Sequence, residues 1–131
     1  MTASELTQIL KILPRQEPLA LICPVGDLAG LGLETTEPNL AVVNVGAHLG
    51  DVILHEIRVF QAAGEQLTVM IVDDGQATTE ADRLVAYGIL MDRKIGDVEI
   101  PTGFRLILAG NLKNWDPCII DKLWVWESSA A

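Results

Sequence analysis

The chain has 131 residues, half of them hydrophobic, with 18 acidic and nine basic side chains. This length suits one domain with its own core and is too short for two ordinary domains. The formal net charge of -9 repels a phosphate backbone, which argues against direct DNA or RNA binding through a broad basic face.

The sequence also argues against a membrane location. It has no run of the roughly 18 to 20 apolar residues that a membrane span requires, and no basic segment precedes a hydrophobic stretch at its N-terminus. Cys23 and Cys118 are far apart and lack CxxC spacing, which favours two free thiols in a reducing compartment. We therefore predict a cytoplasmic protein without membrane contact.

The first predicted elements are a helix, a strand and a long loop. Apolar residues recur at helical spacing between Ser4 and Leu13, which predicts a short helix that Ser4 caps and Pro14 ends. The apolar run at residues 19–23 predicts a strand covered on both faces. Residues 24–39 show no pattern and predict a loop, of a length that is usually functional, mobile or a replacement for another element.

Strands and helices alternate in the middle of the chain. Residues 40–45 and 67–72 predict two further buried strands. Residues 49–63 predict one helix, and a threonine at 78 or 79 caps a second helix that ends near residue 91. The predicted inner faces of the two helices are Val52, Ile53, Ile57 and Phe60, and Leu84, Val85, Ile89 and Leu90.

The last part of the chain continues this alternation. Residues 94–104 predict a small hairpin or excursion, and residues 105–109 a fourth buried strand. Pro117 opens a predicted short helix through Leu123, and residues 124–126 predict a strand at the edge of the sheet.

This order of elements predicts the fold class. Alternating strands and helices favour an α/β protein, here a single domain over residues 1–126 with a mostly parallel sheet and helices on both faces. The polar tail over residues 127–131 is expected to be flexible. Its Ala-Ala ending is similar to those that bacterial unfoldase proteases recognise, and is either a degradation signal or a chance ending.

Two acids, Asp73 and Asp74, directly follow the buried run at residues 69–72. Ligands of parallel sheets bind at the carboxyl ends of the strands, where these acids could hold a magnesium ion and an attacking water. The structural alternative is that aspartate at a strand end caps the following turn.

The segment from residue 67 to 112, with VMIVDD and later MDRKIGDVEIPTGFRLILAGN, resembles the AAA+ ATPases of the MoxR-like kind. In that family a Walker B strand ends in Asp-Glu, a helix leads to an excursion, and the next strand ends in the sensor 1 asparagine. The resemblance implies a P-loop NTPase-like fold. It also implies that Asp73 is the magnesium-associated acid, that Asp74 replaces the catalytic glutamate, and that Asn111 is the sensor 1 residue.

The resemblance implies a strand order as well. AAA+ sheets have the order 5-1-4-3-2, so the strand of Leu106 is expected between the strands of Leu21 and Val69. An antiparallel or mixed sheet would make the resemblance accidental.

The sequence departs from the family where phosphates would bind. Residues 24–32 contain glycines but lack the lysine of G-x-x-x-x-G-K-[ST], and Asp27 places a negative charge there. The chain has no lysine between Lys11 and Lys94. Asp74 is one methylene shorter than the expected glutamate, which implies weakened or absent hydrolysis because a general base must reach its proton.

His48, Asp51 and His55 form a weak candidate metal site. Spacings of three and four place them on one side of a predicted helix. Alternatively, Asp51 favours the helix dipole and the histidines are surface or satisfied residues. A small metal-dependent hydrolase that combines Asp73, Asp74 and one of these histidines is therefore an alternative function.

Trp124 and Trp126 alternate in the last predicted strand, so both rings are expected on one face. One interpretation is core packing. If the strand lies at the edge of the sheet, the other is a partner-binding patch, since tryptophan is over-represented among interface anchors.

The sequence favours a non-catalytic interaction, assembly or regulatory subunit built on a truncated, degenerate AAA+-like core. Asp73, Asp74 and Asn111 are then vestigial, and no cofactor is expected. The expected partner is a protein, either a genuine ATPase or identical subunits, without direct nucleic-acid binding. Besides the hydrolase, an acidic decoy for a basic nucleic-acid-binding site remains an alternative, which depends on the -9 charge alone.

Overall fold

The computed structural model describes residues 2–37, 39–75 and 79–128. The helices are α1 (Ala3–Ile12), α2 (Leu33–Thr36), α3 (Leu49–Ala62), α4 (Glu80–Asp92) and α5 (Pro117–Ile120). The strands are β1 (Leu19–Ile22), β2 (Leu40–Asn44), β3 (Thr68–Asp73), β4 (Lys94–Ile95), β5 (Val98–Glu99), β6 (Arg105–Gly110) and β7 (Trp124–Glu127). Within the described ranges, no helix has the length and apolar character needed to cross a bilayer.

The main sheet has five parallel strands in the order β2-β3-β6-β1-β7, while β4 and β5 form a small antiparallel hairpin. β6 pairs with β1 on one side and with β3 on the other. Leu106 therefore lies between the strands of Leu21 and Val69, as expected. Counting only the five strands of this sheet along the chain, the order is 5-1-4-3-2. The predicted α/β class with a parallel sheet is confirmed.

Helices cover both faces of the sheet because the buried strands are apolar on both sides. Val69 and Ile71 of β3 belong to the core cluster beneath α3 and α4. Met70 and Val72 belong to the cluster beneath α1. Successive side chains of a strand point to opposite faces, so one continuous apolar run serves both clusters.

Threonine side chains cap the starts of α1 and α4. Thr2 caps α1: its hydroxyl accepts a hydrogen bond from the Glu5 N–H at 3.2 Å, and the Glu5 carboxylate accepts from the Thr2 N–H at 3.3 Å. This capping box places Ser4, the predicted cap, inside the helix. Thr79 caps α4 and accepts from the Asp82 N–H at 3.1 Å. The other predicted cap, Thr78, lies outside the described residues.

The prediction of a loop over residues 24–39 was wrong for most of its length. Val25–Leu31 form a 3-10 helix and Leu33–Thr36 form α2, with Gly32 between them at a φ of 71°. Leu28 and Leu33 are buried in the core cluster beneath α1. The burial of these two side chains holds the short helical turns in place. The turns are too short to show a periodic pattern in the sequence, so the sequence did not predict them.

The predicted inner faces of α3 and α4 were wrong in part. Leu84 and Val85 are 52% and 51% exposed, and Val52 is 45% exposed. The buried residues of these helices are Leu49, Ile53, Ile57, Ala86, Ile89 and Leu90. The small side chain of Ala86 faces the core, so apolarity alone did not indicate how α4 is rotated.

A buried charged network joins the amino ends of the central strands. Glu37 is 5% exposed, and its Oε2 lies 3.0 Å from Arg15 Nη1 and accepts the Thr68 hydroxyl at 2.9 Å. Its Oε1 lies 3.1 Å from Arg105 Nε. One carboxylate therefore pairs with guanidinium groups from two parts of the chain.

Arg105 is the most buried member of this network. Its Nη2 donates to the carbonyls of Leu10 and Leu13 at 3.1 and 3.2 Å, which ties β6 to the end of α1. Its Nη1 is buried without a hydrogen-bond partner among the described residues. Burial lowers the pKa of the Arg105 guanidinium, while Glu37 acts in the opposite direction.

We expect Glu37→Gln to lower the free energy of unfolding by about 3–5 kcal/mol, because it leaves two guanidinium groups without their buried counter-charge. Urea denaturation measures this change. Glu34→Gln, at an exposed position of α2, is the matched control and should change stability by less than about 0.5 kcal/mol. Equal effects of the two substitutions would contradict a stabilising role for the network.

Candidate functional site

Three of the predicted site residues, Asp73, Asp74 and Asn111, lie at the carboxyl ends of β3 and β6. These strands are parallel neighbours with Asp73 opposite Gly110, so the residues that follow each strand emerge side by side. They line a cavity of about 240 Å³ formed by Asp73, Asp74, Gly75, Asn111, Leu112, Lys113 and Asn114. Asp73, Asp74 and Asn111 thus line one cavity.

Both carboxylate oxygens of Asp73 accept hydrogen bonds from neutral groups. Oδ1 accepts from the Gly75 N–H at 2.8 Å, which closes the turn after β3. Oδ2 accepts from the Trp115 indole N–H at 2.6 Å. Asp73 is 2% exposed, so its carboxylate joins the end of β3 to the chain that follows β6.

Trp115 is the residue of this site that the sequence analysis missed. Leu112 has a φ of 61°, and the Trp115 N–H donates to the Leu112 carbonyl at 3.2 Å. This turn brings the indole back to Asp73, and Trp115 is buried. A tryptophan in a short polar segment directly after a buried strand is the signal available from the sequence, because a buried indole N–H needs an acceptor.

Gly110 allows the close approach of β6 to Asp73. Its φ is 140°, and a Cβ built at this position would lie 2.2 Å from the Asp73 carbonyl oxygen. Only glycine fits there without a backbone shift. The close packing of β6 against β3 therefore explains why the residue before Asn111 is a glycine.

The open side of the cavity is polar. Asp74, Asn111, Lys113 and Asn114 are exposed, whereas Asp73 lies beneath them. Lys113 supplies the one basic side chain among the described residues that line this cavity. These side chains carry hydrogen-bond donors and acceptors, and Asp74 is the exposed carboxylate among them.

The end of β1, where the AAA+ ATPases that the sequence resembles have their phosphate loop, is different. The 3-10 helix starts directly after Pro24, and Asp27 in its first turn is exposed. A cavity of about 160 Å³ at this strand end is lined by Ile22, Cys23, Pro24, Asn111, Glu127 and Ser128, and none of these described residues is basic. Burial raises the pKa of the Cys23 thiol, and Asp27 adds to the effect.

The candidate metal ligands are not gathered into a site. His48 is the N-cap residue of α3 without a side-chain cap bond, and Asp51 lies in the first turn. These two and His55 are all exposed. In the described part of the chain, no three His, Cys, Asp or Glu side chains are placed to hold a metal ion. The histidines therefore do not form such a group with Asp73 and Asp74 either.

The two tryptophans of β7 differ in exposure. Trp126 is 1% exposed, packs beneath α1 and donates its indole N–H to the Thr2 carbonyl at 3.0 Å. Trp124 is 54% exposed. β7 lies at the edge of the sheet, beside β1, and Trp124 alone of the pair has an exposed ring.

Two solved structures share this arrangement of the sheet and helices. A DNA polymerase III gamma subunit-related protein from Thermotoga maritima MSB8 aligns with 100% of this chain at a TM-score of 0.63 and 10% identity. C. elegans PCH-2 aligns with 95% of it at a TM-score of 0.51 and 12% identity. The chain spans 47% and 41% of these two proteins.

No family model matches the sequence, and no curated protein matches it. At such low identity the structural neighbours establish the fold alone. The fold is AAA+-like, of the P-loop NTPase-like α/β class, as expected from the segment at residues 67–112.

We expect Trp115→Phe to lower the free energy of unfolding by about 1–3 kcal/mol, because it removes the donor to a buried carboxylate oxygen. Trp124→Phe makes the same change at an exposed ring and should alter stability by less than about 0.5 kcal/mol. Urea denaturation of both variants measures the difference. A loss at Trp115 no larger than that at Trp124 would show that the indole bond to Asp73 contributes nothing.

Proposed function

We propose that this chain is a non-hydrolysing protein that uses an AAA+-like core as a scaffold for contacts with another protein. It would act as an assembly or regulatory subunit, of a degenerate kind related to the MoxR-like ATPases. The observation that carries the proposal is the state of Asp73, whose carboxylate oxygens accept hydrogen bonds from Trp115 and Gly75 at the place where nucleotide-bound magnesium would be held.

The charges near β1 support a role without nucleotide. A bound triphosphate needs backbone N–H groups, a lysine and a helix N-terminus that counter its negative charge. Here Asp27 follows β1, and Glu127 lines the cavity at its end. Lys113 follows β6 instead, so its ammonium is not in the position of a phosphate-loop lysine.

The hydrogen bonds of Asp73 also favour a structural role. Magnesium takes oxygen ligands at short distances and requires nearly ideal octahedral geometry. The Trp115 indole nitrogen lies 2.6 Å from Oδ2 of Asp73. Its N–H points the positive end of the bond at an oxygen that would otherwise serve as a ligand of magnesium. Each carboxylate oxygen has two lone pairs, so a metal ion bound through Oδ2 would have to share this oxygen with the buried indole donor.

The exposed edge strand supports a role in protein contacts. Trp124 presents a large aromatic ring on β7, and aromatic side chains of this kind are common anchors of protein interfaces. A genuine ATPase or a second subunit of this chain would suit this surface.

Isothermal calorimetry with a non-hydrolysable ATP analogue tests the nucleotide half of the proposal. We expect no magnesium-dependent heat of binding up to millimolar analogue, because the chain has no lysine at the phosphate position. Tight binding that requires magnesium would overturn the pseudo-ATPase interpretation.

A pull-down from the native host tests the contact surface. We expect Trp124→Ser to lose a partner that the wild-type chain recovers, because the interface loses its aromatic anchor. Ile12→Ser removes an 81% exposed apolar side chain from α1 and should retain the partner. Equal recovery by the two variants would contradict a role for Trp124.

A further inference from the structure

The turn that follows β6 contains a strained residue. Residues 111–115, which we call the Trp115 turn, are neither helix nor strand. Leu112 has a φ of 61° and, within the described ranges, is one of two residues other than glycine with a positive φ. The other, Arg93, is the C-cap residue of α4, a place where left-handed backbone is common. Leucine in this conformation is an outlier, because its Cβ lies too close to a carbonyl oxygen.

We propose that the Trp115 turn is a conformational latch, which opens as a unit while the sheet remains folded. In the closed state, which the structure shows, the Trp115 indole donates to Asp73. In the open state the Leu112 backbone leaves the left-handed region and the indole donor leaves Asp73. The Trp115 ring is then exposed at the carboxyl end of the sheet. The inference concerns the chain alone and does not rest on the proposed function.

The contacts that close the latch involve the same two residues. Leu112 and Trp115 are both buried in the core cluster beneath α3 and α4. The indole nitrogen of Trp115 lies 2.6 Å from Asp73 Oδ2, and the Trp115 backbone N–H donates to the Leu112 carbonyl at 3.2 Å. A strained backbone persists only where such contacts outweigh its cost. Release of Leu112 therefore acts directly against the groups that hold Trp115.

The turn is separate from the hydrogen bonds of the sheet. The pairing of β3 with β6 ends at Gly110, so opening of the turn breaks none of it. Asn111, Lys113 and Asn114 are exposed and polar. Segments with few buried apolar side chains open at a lower free energy than core strands do. The position of the turn thus favours local opening over unfolding of the whole chain.

A cavity lies on each side of the turn. The cavity of about 240 Å³ is lined by Asn111, Leu112 and Lys113, among others. A second cavity of about 150 Å³ lies towards the start of α4 and is lined by Trp115 and Asp116, among others. Asn114 lines both. The turn can therefore move without first displacing a packed layer of side chains on either side.

Native-state hydrogen exchange of the ¹⁵N-labelled 131-residue chain tests the inference. The Trp115 indole reports the latch, while the amides of Ile71 and Leu108, which are fully buried on paired strands, report the sheet. We expect the protection factor of the indole to be at least about tenfold below those of the two amides. Low urea should barely change it, because local opening exposes little surface. The exposed Trp124 indole should exchange faster still.

A pair of variants isolates the strain. Leu112→Ala and Leu112→Gly both remove the buried side chain, but only glycine accepts the left-handed backbone without cost. The Trp115 indole should therefore exchange about fivefold more slowly in the glycine variant than in the alanine variant, the change expected from a relieved left-handed residue. Dividing each rate by that of the Ile71 amide corrects for a change in global stability.

Lys113 offers the matched control. It is exposed in the same turn and is not among the residues with a positive φ. Glycine at such a position only adds conformational freedom to the open state. Lys113→Gly should therefore not slow the exchange of the Trp115 indole relative to Lys113→Ala.

Two results would overturn the inference. An indole that exchanges with the protection factor and the urea dependence of the Ile71 and Leu108 amides would show that the turn opens only when the whole chain unfolds. Exchange in Leu112→Gly as fast as in Leu112→Ala, or faster, would show that Leu112 stores no strain that opening releases.

Discussion

The hydrogen bond from the Trp115 indole to the Asp73 carboxylate links the end of β3 to the turn that follows β6. It depends on the parallel pairing of these strands, which brings Asp73 opposite Gly110. Gly110 permits this approach because any Cβ would collide with the Asp73 carbonyl oxygen. The strand end that carries the metal-associated acid in a nucleotide hydrolase is thus engaged by the buried Trp115 indole and by the Gly75 N–H.

The two ends of the sheet differ in how their buried carboxylates are paired. At the amino ends, the Glu37 carboxylate pairs with Arg15 and Arg105, and the network ties α1 and α2 to the central strands. At the carboxyl ends, Asp73 accepts neutral N–H donors, while Asp27 and Glu127 lie near the end of β1. The basic residues of this network, Arg15 and Arg105, therefore lie at the end of the sheet opposite to the one where a phosphate would bind.

The sequence predicted the architecture better than the chemistry. Buried strands are continuous apolar runs, so the order of strands and the position of Leu106 followed from the pattern and the AAA+ resemblance. The bond between Asp73 and Trp115 joins residues 42 positions apart, and no local pattern contains that information. The rotation of α4 was also missed, because its apolar residues surround the helix and tertiary packing selects which of them are buried.

The most direct test of a closed strand-end site is the indole ¹H–¹⁵N signal of Trp115 in a magnesium titration. If Asp73 is held by Trp115 and does not exchange this donor for a metal, the signal stays in place and its proton exchanges slowly with solvent up to millimolar MgCl₂. A saturable shift of the indole signal with magnesium, accompanied by faster exchange, would show that Asp73 releases Trp115 to bind the ion and would contradict a closed strand-end site.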